Sequence, residues 1–258
     1  MSRNWHAFPY PGEHYRYAGE HLKKSWARLH RGDCEPWPAE TAVADAWRAY
    51  HAGEFAEAVR AGLAAGDKGE NAADKAAMIY ATYLEGDAEE ALAIFKAVAE
   101  RCEKRQARTP NDANVWYYHA YALGRYGQGI SVAKALAQGL GGKIRTSLER
   151  ALELAPAHAD AHIALGTWHA EIVDKVGAMV GGLTYGAKKE EAERHFRRAL
   201  ELNPDSAIAR MEFANALAML YGKRKLAEAE RLYAEAAECE AADAMERLDV
   251  EAAREELA

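Results

Sequence analysis

Two nine-residue stretches of this chain are near copies: LERALELAP at 148–156 and FRRALELNP at 196–204. They stand 48 residues apart, and Pro110 marks the same place 46 residues before Pro156. The residues after each proline repeat too: Leu165-Gly166 and Phe213-Ala214 lie at matching offsets, with His119-Ala120 in the corresponding place after Pro110. An earlier pair, YHAGEFAEA at 50–58 and YLEGDAEEA at 83–91, recurs at 33 residues, and LAEAERLYAEA at 226–236 is a further copy of the second half. Such a register means one supersecondary unit used repeatedly. No unit buries its apolar face alone, so neighbours must stack.

The unit is helical. The 258 residues include 58 Ala, while Val, Ile and Thr together number 22. Alanine loses no side-chain entropy in a helix and β-branched residues do, so a sheet protein is excluded. Proline lacks an amide hydrogen and is tolerated at helix starts, which suits Pro110, Pro156 and Pro204 to junctions between helices. The small residues Ala120, Gly166 and Ala214 fall where two helices of a unit would cross closely.

Leu-Gly, a spaced Ala, a large apolar residue, Ala and Pro, in five phased copies between Ala39 and Ala242, resembles the tetratricopeptide repeat. The resemblance implies an all-α, right-handed α-solenoid of about five helix pairs. Two repeats are elongated, exceeding the usual 34 residues by 12 or 14. The excess falls at about 124–145 and 172–187, which hold 10 of the 20 glycines. It predicts either longer paired helices or short extra helices over the groove. The inserts carry Val132, Leu136, Leu140, Val173, Val176, Met179 and Val180, and are expected to pack together. With Leu165-Gly-Thr-Trp168 and the helix ending at Pro204, this resembles the regulator-of-microtubule-dynamics family and the T component of TRAP transporters. The first implies microtubule or organelle partners, the second a periplasmic ligand-handling partner.

The ends lie outside the repeats. Residues 1–38 are rich in aromatics and histidine, and Leu22, Trp26 and Leu29 have helical spacing before Gly32. A capping helix is expected there, with an arm lying in the groove as the alternative. Residues 243–258 read as an acidic C-terminal helix. From Leu226 onward 11 acids face 3 bases, a balance that phosphates would repel, so no nucleic-acid partner is expected. The first residues hold no run of 7–15 apolar residues, so a secretory signal is not expected, and no apolar run is long enough to span a membrane. The three cysteines are scattered without a CxxC pair, and a cytoplasmic location is expected.

No catalytic constellation stands out, and an enzyme is not expected. Gly139 to Lys143 lacks the spacing and the following Ser or Thr of a phosphate loop. His158, His162 and His169 share a helical face, but a metal site needs a further carboxylate or histidine to converge on them. They fit packing positions, so neither zinc nor any other cofactor is expected.

Function is expected in the concave groove, which the first helix of each unit lines in the tetratricopeptide family. The stripe is Asn114, Tyr117, Tyr121 and Arg125, continued by Asp160, Thr167 and Glu171 in the next unit and by Asn215 in the last. The expected function is a non-enzymatic adaptor holding a protein or peptide segment, with Arg125 meeting a carboxylate. The alternative is a small-molecule module whose pocket the glycine-rich inserts wall off. A closed pocket favours the second reading and an open polar trough the first.

Overall fold

The computed structural model describes residues 5–258, so the first four residues of the N-terminal arm lie outside it. Among the described residues there is no strand. Helix α1 (His21–Leu29) precedes α2 (Thr41–His51) and α3 (Phe55–Ala64), then α4 (Glu70–Tyr83) and α5 (Ala88–Arg108). Next come α6 (Ala113–Gln128), α7 (Val132–Ala137) and α8 (Leu140–Leu154). They are followed by α9 (Ala159–Val176), the one-turn α10 (Ala178–Val180) and α11 (Lys189–Leu202). The chain ends with α12 (Ala207–Tyr221), α13 (Leu226–Ala237) and α14 (Ala244–Glu256).

The repeat pairs are α2/α3, α4/α5, α6/α8, α9/α11 and α12/α13, each packed against its own partner and its neighbours. Helix starts obey the sequence punctuation. Asp112, His158 and Ser206, each two residues after a proline, accept hydrogen bonds from the first-turn amides of α6, α9 and α12. The tight crossings are where the small residues predicted them: a Cβ added to Gly166 would sit 2.9 Å from the Phe196 ring. Phe196 is fully buried and stacks on Phe213 at 5.3 Å.

The inserts fold as short extra pieces rather than as longer paired helices. The first becomes α7, and the second becomes α10 and a π-turn over Gly181–Tyr185. They meet only in part. Tyr185 packs against Gly141, and Arg145 Nη1 donates to the Tyr185 carbonyl at 2.5 Å. Leu140 and Val173 are buried, but Val132, Leu136, Met179 and Val180 are exposed, Met179 by 78%. Their expected mutual burial is therefore not found. Beyond the Tyr185 contact, the short pieces leave these side chains facing outward.

Helix α1 caps the solenoid, burying Leu22, Trp26 and Leu29 near Trp47 and His51. The preceding arm lies over α2 to α4: Trp5 stacks on Tyr80 at 3.9 Å and Phe8 packs edge-on against Phe55. The C-terminal helix α14 packs on α12 and α13 and reaches α2. Tyr17 donates to the Ala242 carbonyl at 2.6 Å, and Arg31 pairs with Asp205 at 2.7 Å. The two ends of the superhelix thus meet, and they narrow the concave face at its rim.

Candidate functional site

The narrowing leaves a central cavity of about 140 Å³. Helices α4, α6, α9 and α12 line it from the repeats, and Leu29, Gly32, Met245, Glu246 and Asp249 from the two ends. Of the stripe expected in the groove, Tyr117, Tyr121, Arg125, Asp160, Thr167 and Glu171 line this cavity. Asn114 and Asn215 do not. Asn114 is buried on the far side, where its Nδ2 donates to Glu35 at 2.6 Å and its Oδ1 meets His158 Nε2 at 2.9 Å. Asn215 is exposed and accepts from the Tyr233 hydroxyl.

Arg125 is not a free fork. It lies 5.3 Å from the Tyr121 ring centre, pairs with Glu212 at 3.7 Å and donates to Gln128 Oε1 at 3.3 Å. Gln128 in turn donates to Glu171 at 2.6 Å, and Thr167 to Glu212 at 3.2 Å. The guanidinium is already matched by the Glu212 carboxylate and the Gln128 amide, so it has less to offer a second anion.

Asp160 is different. Among the described residues its carboxylate makes no hydrogen bond or ion pair. Burial raises its pKa to about 6, against the nearby positive charge of Lys75. Lys75 is itself taken: its Nζ lies 2.5 Å from Asp33 Oδ2, and both side chains are buried. Asp33 continues to His30 at 2.9 Å, His30 to His51 at 3.2 Å, and His51 to Asp243 at 2.7 Å. This buried polar chain joins α4, α1 and α2 to the start of α14, where Asp243 caps the helix through the Glu246 amide at 2.8 Å. Cys34 takes the left-handed conformation at φ 53°, so Asp33 and Glu35 on either side both turn inward. Glu35 meets Asn71 and Asn114, and burial raises its pKa to about 8.

Across the cavity Tyr83 donates to Asp249 Oδ1 at 2.5 Å, and burial holds that carboxyl well above the usual carboxylate range. Two lining atoms have no partner: the Tyr118 hydroxyl, on a fully buried side chain, and Asn203 Oδ1, on a side chain 7% exposed. The cavity therefore presents five acids against two bases, both bases compensated, with tyrosines 83, 117, 118 and 121 around them. Lys75, Tyr83, Asp249 and Glu246 escaped sequence reasoning. They lie outside the α6–α9 stripe or in α14, and only the meeting of the chain ends brings them in.

The histidines separate. His158 caps α9 at 3.0 Å from the Ala161 amide. His162 and His169 turn to α11, where Glu191 and His195 stand opposite.

Comparison with known proteins agrees with this architecture. A solved tetratricopeptide-repeat protein of Thermus thermophilus is similar at a TM-score of 0.55 and 18% identity, over 83% of this chain and 97% of that one. At that identity the likeness concerns the fold. No curated protein sequence matches. No helix among the described residues is long and apolar enough to cross a membrane. The family description of regulator of microtubule dynamics protein 1-3 matches residues 63–258, three quarters of the chain, and the chain belongs to that family.

Proposed function

We propose that this protein is a non-enzymatic binding module whose central cavity holds a small ligand carrying a cationic group on a short apolar or aromatic body. The observation that carries the reading is Asp160, a half-buried carboxylate lining the cavity with no hydrogen-bond or ion-pair partner among the described residues. A carboxylate that is partly desolvated and unpaired is disfavoured, and a ligand ammonium beside it offsets that cost. The surrounding tyrosines suit such a ligand, since their ring faces attract cations. The volume is below the roughly 300–1,000 Å³ of drug-sized sites, so the ligand is compact.

The adaptor reading needs an open trough. With α14 and residues 29–32 at the rim, the cavity is narrower than an open trough and suits a compact group better than an extended segment. The test is thermal denaturation of the full chain against small primary, secondary and quaternary amines and size-matched carboxylates, repeated with Asp160→Asn. Amines should raise the melting temperature of the wild type and not of the variant. Stabilisation by carboxylates alone, or equal amine effects on both proteins, would show the reading to be wrong.

A further inference from the structure

We propose that His169, Glu191 and His195 form a zinc site between α9 and α11, independent of the central cavity. Each offers one ligand atom, and these atoms lie within 4.8 Å of one another. On a tetrahedral zinc with bonds of about 2.0–2.1 Å, ligand atoms sit roughly 3.3 Å apart, so modest side-chain rotation closes the set. Glu191 and His195 are four residues apart on one face of α11, and His169 faces them from α9. This supplies the converging carboxylate and second histidine that the histidines of α9 lack on their own helix.

The hydrogen bonds fix which nitrogen of His195 is available. His162 Nε2 lies 3.3 Å from the Pro156 carbonyl, an acceptor only, so His162 carries its proton there. Its Nδ1 is therefore the acceptor in the 2.8 Å contact with His195 Nδ1. His195 donates from Nδ1, which leaves its Nε2 with a bare lone pair. A ligating histidine held through its other ring nitrogen is the usual arrangement at zinc. Arg194 engages Glu191 through Oε2, at 3.0 and 2.5 Å, leaving Oε1. Two imidazoles and one carboxylate suit zinc, and a three-ligand set leaves its fourth position to water. Against the site stand the positive charges of Arg145 and Arg194 and the Lys188 amide, which reaches His169 Nδ1 at 3.3 Å and has to yield.

The experiment titrates chelator-treated full-length protein with zinc in the presence of a competing chromophoric chelator. One zinc per chain is expected, with binding weakened at least tenfold to a hundredfold in His195→Ala and in Glu191→Gln. His162→Ala should weaken it about tenfold through His195 alone, the scale usual for a supporting histidine. Arg194→Gln should not weaken it, because that change frees the carboxylate. Should His195→Ala fail to fold, Glu191→Gln on the half-exposed rim carries the test. Wild-type binding no tighter than that of Glu191→Gln overturns the proposal, as does a loss in Arg194→Gln equal to the loss in Glu191→Gln.

Discussion

Arg28 of α1 grips Glu246 of α14 with two hydrogen bonds, Nη1 to Oε1 at 2.5 Å and Nη2 to Oε2 at 2.9 Å, across 218 residues of sequence. The glutamate side chain is only 13% exposed, so the pair is largely withdrawn from water. Removing the arginine leaves a carboxylate that burial disfavours. Arg28→Ala should cost about 1–3 kcal/mol in urea unfolding, the range for losing charge-assisted bonds at a mostly buried site. An unchanged midpoint would mean that the contact between the chain ends contributes nothing to stability.

The Lys75–Asp33 pair makes a stronger case. Both side chains are almost fully buried, and Asp33 also accepts from the His30 ring. Lys75→Met should destabilise by about 3–5 kcal/mol, because the buried Asp33 then loses its counter-charge. Adding Asp33→Asn should recover part of that loss. Double-mutant denaturation curves give the coupling, and strict additivity would contradict the pairing.

Acid should act against His30 and His158. Both are fully buried, and burial lowers both to about 4, from an ordinary value of about 6.5. The folded state then binds fewer protons at these two rings than the unfolded chain between those values. Their contribution to stability is full above pH 6.5 and falls as the pH drops toward 4, by about 2 kcal/mol each at pH 5. Glu35, Asp160 and Asp249, which burial raises, act in the opposite sense over the same range, so the whole-protein midpoint mixes the two. NMR titration of the His30 and His158 ring protons isolates the histidines. Midpoints near 6.5 would contradict the prediction.

Gly166 and Met179 should behave oppositely. Gly166→Ala drives a methyl into the Phe196 ring and should cost about 1–3 kcal/mol. Met179→Asp, on a side chain 78% exposed, should change stability by less than about 0.5 kcal/mol. Thermal melts of the two variants compare them directly, and a large loss in Met179→Asp would reveal cover over the insert.

The contrast shows what was legible in the sequence. Repeat register and small residues such as Gly166 announced the helix pairs, because close crossings are local consequences of residue size. Six of the eight stripe residues line one cavity for the same reason: helical offsets determine which face a residue occupies. Offsets do not say what lies opposite. Arg125 has no acid one turn away, yet Glu212, 87 positions on, answers it. Asn114 sits at the right offset, but Glu35 from the N-terminal segment occupies its amide. The narrowing of the groove depended on Arg28, Asp243 and Glu246, which stand outside every repeat. His195 and Glu191 were invisible beside His169 because they sit on the other helix of the unit.

The most direct test of the central claim is native mass spectrometry of the protein captured from its own cells, with wild type and Asp160→Asn compared. The account predicts a low-molecular-weight basic compound bound near one per chain in the wild type and absent from a folded Asp160→Asn variant. A bound acidic compound, or a polypeptide held equally by both proteins with no small ligand present, would contradict it.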